Sequence, residues 1–528
     1  MKRIYYNGTI YTMSKPATVQ AVLTENGKII AVGTRKELQN KMTGVKMIDL
    51  NGKIMLPAFI DAHSHLSSYA VSFLQVPLEE CIDFDEIAKR IQQFISSNRI
   101  KPGTWVIGKG YDHNALTERS HPTLKLLDDC APRNPVALQH ASGHVGVLNS
   151  LALRELGITP LTPSPEGGKI GIENGQLTGY LEESAYFTYL KKLPIPDEKE
   201  LMNAYQRAQQ SYASYGITTI QEGMMVKETI PLYETLIAKE LLWLDTVGYV
   251  RIDDANKLFS AFPDSAKKYN KHFKLGGYKI FLDGSPQGRT AWMREPYIGG
   301  EQGYCGYGTM RDDEVCCALE TAVHHNMQIL AHCNGDAAAQ QYLDAADHVR
   351  KKHDLSQVRP VMIHAQLLGR DQLDRVKEYG ITPSFFVAHV YHWGDIHLKN
   401  FGINRASAIS PAATALRKKI KFTFHQDAPV IAPNMLETIW CAVNRVTKSG
   451  KVLGEDERIS VMEALKAVTI NAAWQYFEED IKGSIQVGKN ADFVILDKDP
   501  FAVPPMEIRN IRVMETIKGD CTIYCSIE

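Results

Sequence analysis

The chain has 528 residues, enough for three or four domains at roughly 150 residues each, or for one (β/α)8 barrel carrying insertions. It is 44% hydrophobic and 23% charged, near the globular average, which excludes a disordered, collagen-like or coiled-coil chain. Lys and Arg total 59 against 60 Asp and Glu, so no global basic field exists for nucleic acid or anionic lipid, and a small-molecule substrate is expected.

The amino terminus, MKRIYYNGTIYTM, is basic but lacks the apolar stretch of a signal peptide, and no window approaches the roughly 18 apolar residues of a membrane span. A cytoplasmic protein without a membrane partner is expected. Nine cysteines without a CxxC pair suit reduced thiols in such a compartment. Residues 1–55 form short strands broken by Gly and Asn, with Asn26-Gly27 and Asn51-Gly52 expected as tight turns of an antiparallel sheet. Residues 478–528 resume that texture. Neither end has strands enough for its own core, so the two should pair into one composite β-sandwich domain, 1–55 plus 478–528.

Between them, residues 56–477 alternate apolar runs with amphipathic helices, an α/β pattern. EIAKRIQQFISS repeats Ile87, Ile91, Phe94 and Ile95 at helical spacing, and SVMEALKAVTINAAWQYF is expected as another helix. In LPAFIDAHSHL, His63 and His65 alternate along a strand and therefore face one way, where two imidazoles can converge on one metal ion. GYKIFLDGS, MQILAHCNGD, RPVMIHAQ and KFTFHQDAPV are further apolar runs that carry Lys279 or end on His332, His364 and Asp427. A parallel barrel places functional residues at such strand ends, and at about 31 residues per βα unit these positions fall on strands 4, 5, 6 and 8. DTVGYV and ITTIQEG supply strands 3 and 2, TPSFFV strand 7, and the histidine pair marks strand 1. The expected fold is thus a (β/α)8 TIM barrel with a long insertion after strand 1, at about 67–200, and a shorter one after strand 4.

These motifs, with GSIQVGKNADFVILDKDP near the carboxyl end and WVIGKGYDHNAL, HASGHVGVLNS and GQLTGYLEE in the insertion, resemble the amidohydrolase superfamily. Within it they resemble the amidohydrolase-3 group, which includes N-substituted formamide deformylase. The resemblance implies a binuclear centre with two divalent ions, with zinc the expected metal. His63 and His65 would ligate one ion, His332 and His364 the other, Lys279 would be carboxylated and bridge both, and Asp427 would join the first. The alternative role for Lys279 is a buried cation paired with Asp283. His425 and Gln426 before Asp427, and Cys333 and Asn334 after His332, depart from the group's usual residues.

The reaction so implied is hydrolysis of a C–N bond in a small N-substituted amide or formamide, by a metal-bound hydroxide with Asp427 as proton shuttle. A deaminase or cyclic-amide hydrolase on the same barrel is one alternative, and an inactive metal-containing binding protein another. His144, Arg289, Trp292 and His389 are candidate substrate contacts: a hydrogen-bond donor, an anion anchor, an apolar wall and a strand-7 loop group. The partner expected is a small amide, with neither nucleic acid nor membrane, and a homodimer is compatible.

Overall fold

In this computed structural model, residues 2–40, 44–141, 144–194 and 196–526 are described. Eight parallel strands form one sheet in sequence order: β1 Phe59–Ile60, β2 Ile217–Met225, β3 Asp245–Arg251, β4 Phe273–Phe281, β5 Gln328–Cys333, β6 Val361–His364, β7 Thr382–Phe385 and β8 Thr423–Phe424. Strands buried on both faces need no polar side, which is why β6 and β7 have no exposed residue and the apolar runs in the sequence are nearly continuous. Past the last residues of β8 and β1, the Asp427 N–H donates to the His63 carbonyl at 3.2 Å and the His65 N–H to the Ala428 carbonyl at 2.9 Å, joining the first and last strands. The sheet is therefore a TIM-type barrel. Its interior is filled by side chains, among them Ile60, Val247, Tyr249, Leu330, Val361 and Ile363.

The chain ends meet in a separate eight-stranded sheet that pairs Phe493–Leu496 with Ile54–Pro57 and includes Lys2–Tyr11, Thr18–Glu25 and Val513–Lys518. By hydrogen bonding it is one continuous sheet. Apolar clusters lie on it, one around Tyr5, Met55 and Phe493 and another around Ile4, Leu23 and Leu38. Asn26-Gly27 is a tight antiparallel turn, with φ of 50° and 80° as such a turn demands. Asn51-Gly52 is not. Lys46–Asp49 and Ile54–Pro57 both run parallel to Lys2–Tyr11, and the turn between them steps past a bulge in that strand. The Gly52 N–H donates to the Asn7 carbonyl at 2.7 Å, and a Cβ on Gly8 would sit 2.3 Å from the Lys53 carbonyl oxygen, so the bulge, rather than strand reversal, uses this turn.

A second correction concerns SVMEALKAVTINAAWQYF, which is two helices, Val461–Ala467 and Ile470–Gln475. The Val468 carbonyl accepts the Ile60 N–H of β1 at 2.9 Å, and Thr469 between them is non-helical. An acceptor used by the barrel is lost to the helix.

The chain divides into two compact units, residues 1–67 with 208–528, and residues 68–207. The second unit has its own six-stranded sheet, ordered Gly168–Glu173, Gln176–Glu183, Val145–Leu148, Val136–His140, Val106–Tyr111 and Gln75–Pro77. Helix Phe84–Ser97, capped by the Asp83 carboxylate on the Glu86 N–H, buries Ile87 and Ile91 in that unit's core with Val106, Val136 and Leu138. No helix among the described residues is long and apolar enough to cross a membrane.

Candidate metal centre

The carboxyl ends of the barrel strands bring His63, His65, Lys279, His332, His364 and Asp427 together. Donor atoms of His63, His364 and Asp427 all lie within 4.8 Å of one another. Asp427 Oδ1 is 3.5 Å from His63 Nε2 and 3.3 Å from His65 Nε2, and Oδ2 is 3.8 Å from His364 Nε2. Lys279 Nζ stands 3.3 Å from His63 Nε2. The His332 ring packs edge-on against His364, centroids 4.6 Å apart, and flat on Phe281 at 4.8 Å.

His63 and His364 are each positioned by a polar partner behind the ring. His63 Nδ1 lies 2.5 Å from Gln221 Oε1 on β2, and the Gln221 amide donates to the Ala62 carbonyl and the Tyr476 hydroxyl, both at 2.9 Å. An amide oxygen only accepts, so Nδ1 carries the proton and the Nε2 lone pair faces Asp427. His364 Nδ1 contacts His425 Nε2 at 3.1 Å, and His425 Nδ1 contacts Ser384 Oγ of β7 at 2.8 Å. Asp283 does not pair with Lys279. Its carboxylate accepts the backbone N–H groups of Asn334, Gly335 and Trp292 at 2.9, 2.7 and 3.1 Å and lies 3.3 Å from His332 Nδ1.

Burial sets the protonation states. It holds His63 and His364 well below the usual imidazole range, aided by neighbouring cationic groups, and pushes His425 down to about 3. All three are neutral lone-pair donors. Burial also lowers the Lys279 amine to about 7, against the opposing pull of Asp427, so a large fraction is uncharged and nucleophilic at neutral pH. Burial raises the Asp427 carboxyl, but contact with His65, helped by the field of Lys279, more than reverses it, and the group stays ionised. Its buried Oδ1 nevertheless accepts no well-formed hydrogen bond. A buried carboxylate oxygen facing the His63 Nε2 lone pair without a proton between them calls for a cation there, and a divalent ion fits. The backbone is strained at the same places, with φ of 69° at His364, 44° at Ala365 and 57° at Asp427.

The candidate substrate contacts are placed differently. His389 is buried, 3.1 Å from His397, and packs on Phe386, whose ring also faces His425 at 5.3 Å. Trp292 lends its N–H to Asp283 and so belongs to the loop that holds His332. Arg289 is engaged within its own fold: Nε donates to Asn400 Oδ1 at 2.9 Å and Nη1 to the Gly299 carbonyl at 3.3 Å. An anion-anchoring role would have to break those bonds. His144 is exposed in the unit 68–207 and pairs with Glu183 at 3.0 Å.

Gln221 and Gly223 are site residues that the sequence reading did not name, whereas it named His425 as a departure from the group and Asp283 as a partner for Lys279 without giving either its place behind a histidine. Gly223, on β2, faces both histidines of β1: a Cβ there would lie 2.6 Å from His63 Cε1 and 3.0 Å from His65 Cε1. The only sequence signal was position, two strand-2 residues near the end of ITTIQEG.

Known proteins resemble this chain along nearly its whole length. N-substituted formamide deformylase of Arthrobacter pascens is 28% identical over 97% of this chain and 96% of its own. YtcJ of Bacillus subtilis (strain 168) is 28% identical over 99% of each. The crystal structure of an uncharacterised metal-dependent hydrolase from Pyrococcus horikoshii, 26% identical, superposes with a TM-score of 0.78 over 96% of this chain and 99% of that one. The sequence profile of the amidohydrolase family matches residues 46–524, so this chain belongs to the amidohydrolase family.

Proposed function

We propose that the protein is a metal-dependent hydrolase that cleaves the C–N bond of a small N-substituted amide or formamide. The observation that carries the reading is the ionised, buried Asp427, whose Oδ1 lacks a hydrogen bond beside the neutral His63 imidazole. His63, His65 and Asp427 would hold one divalent ion, His332 and His364 a second, with Lys279 between them. Zinc suits such a set of imidazole and carboxylate ligands. Bound there, the metal supplies Lewis acidity for a carbonyl oxygen and for an attacking water.

The chain's own residues do the rest. The uncharged Lys279 amine adds to carbon dioxide, forming an N–C bond as one C=O π bond opens and releasing one proton, which converts a neutral amine into an anionic carbamate ligand. Asp427 accepts a proton from the attacking water and returns it to the departing nitrogen as the C–N bond breaks. Gln221 holds His63 in the tautomer that keeps its Nε2 lone pair directed at the site, and His425 orients the His364 ring.

The test is metal analysis of zinc-reconstituted protein together with a screen of N-acyl and N-formyl amines. About two ions per chain at the barrel cluster, counted as the difference from His63→Ala/His364→Ala protein, and amine release are expected, with His332→Ala lowering that difference and Lys279→Ala losing both metal and activity until a short carboxylic acid restores part. A barrel metal content near zero after reconstitution, with total metal no higher than in His63→Ala/His364→Ala protein, would overturn the reading. One ion with ammonia as product would make the protein a deaminase instead.

A further inference from the structure

We propose a second metal site, inside the unit 68–207, in which Asp112, His113 and His140 bind a late first-row divalent ion such as zinc. It is independent of the barrel cluster, sharing no residue with it.

Strands Val106–Tyr111 and Val136–His140 run parallel side by side, with Tyr111 opposite His140. Residues just past the end of the first strand therefore meet the last residue of the second. His113 Nδ1 and His140 Nε2 are 3.0 Å apart, and Asp112 Oδ1 is 3.6 Å from His140 Nε2 and 4.0 Å from His113 Nδ1. Tetrahedral zinc with ligands at about 2.0–2.1 Å separates its donor atoms by about 3.3 Å, so the three distances bracket the edges of such a site.

The surroundings prepare the donors. Asp112 Oδ1 is fixed by the Asn114 backbone N–H at 2.9 Å and the Asn114 side-chain amide at 3.2 Å. His140 is buried, which shields its ring from solvent at the site. The His121 ring stacks on His113 at 4.3 Å and 26°, and its Nδ1 meets the Tyr111 hydroxyl at 2.9 Å, so His113 is held in place by a ring that is itself anchored. Two imidazoles and one carboxylate favour zinc, cobalt or nickel over magnesium or calcium, and three protein ligands leave one position for water or another ligand.

The experiment uses the full chain with the barrel cluster disabled. His63→Ala/His364→Ala protein, dialysed against zinc and desalted, should retain about one ion by elemental analysis. Adding His113→Asn and His140→Asn to it should remove that ion. Since His140 is buried and its replacement can disturb folding, His113→Asn alone, at a half-buried turn, is titrated with cobalt in the otherwise wild-type chain. It should lose one equivalent and its visible absorption band while keeping the wild-type circular dichroism and its melting temperature in chelator. A barrel-disabled protein that retains no zinc, or a His113→Asn chain that binds as much cobalt as wild type, would overturn the proposal. The pair would then be a plain imidazole hydrogen bond.

Discussion

At the residue scale, Asp427 is where holding a metal and moving a proton can be separated. The carboxylate is buried, ionised and near three histidine nitrogens, and its left-handed φ of 57° shows that the fold constrains its direction. Asp427→Asn keeps size and one oxygen donor but cannot carry the proton. Turnover on an amide identified in the screen should fall by about 10² to 10⁴, while the fold and much of the bound metal remain. Steady-state kinetics beside metal analysis checks this, and near-wild-type turnover would move the proton relay to another group. The strand-ending ligands were legible because an apolar run stopping at a polar residue marks a barrel mouth. Gln221 and His425 were not: each acts through a partner 158 or 61 residues away, and only the register of neighbouring strands pairs them.

At the element scale, the eight strands could be counted from the sequence because strands buried on both faces leave uninterrupted apolar runs at a regular interval. The elements that differed from expectation were those whose backbone groups bond outside themselves, the helix interrupted at Val468 and the turn at Asn51-Gly52. Local pattern carries no information about a distant donor. The tight spot between β1 and β2 is of the same kind. Gly223 is needed for space, since a Cβ there would meet the Ser64 carbonyl oxygen at 2.8 Å as well as both imidazoles, and the backbone oxygen cannot swing aside. Gly223→Ala should therefore push His63 and His65 off their directions, costing about 1–3 kcal/mol of stability. Zinc affinity should drop by more than the small loss in melting temperature suggests. Equilibrium dialysis with zinc, set against thermal unfolding in chelator, separates the two, and unchanged affinity would show that the strands part without moving the rings.

At the scale of the whole molecule, the far face of the barrel ties both chain ends to its strands through buried charge. Asp245, the first residue of β3, accepts from Lys482 at 2.5 Å and from Lys518 and His272 at 2.8 Å, and Lys482 also reaches Glu478 at 2.9 Å. Lys518 lies in the terminal sheet, where Asp520 accepts from Tyr5 at 2.7 Å and Thr24 at 2.9 Å, so charge and hydrogen bonds run from barrel to tail to amino terminus. Burial would raise the Asp245 carboxyl, but Lys482, Lys518 and His272 hold it well below the carboxylate range, and Glu478 is likewise lowered by Lys482 and Lys274 despite its burial. Depressed carboxyls stabilise the fold above their unfolded values of about 4, and that contribution disappears as pH falls through the lower folded values. Lys482 is raised, because Asp245 and Glu478 outweigh its burial, so its share is present below about 10.4 and is lost only as pH rises through its higher folded value. The network should hold its full strength between about pH 5 and 10. Lys482→Met, which strips a buried partner from two carboxylates, should cost about 3–5 kcal/mol at pH 7. The gap from wild type should narrow below about pH 4, where the stranded carboxyls take up protons. Melting temperatures at one fixed scan rate, measured for both proteins from pH 3 to 9, test the sign as well as the size. A gap that stayed constant across that range would mean the loss comes from packing of the lysine stem and not from its charge.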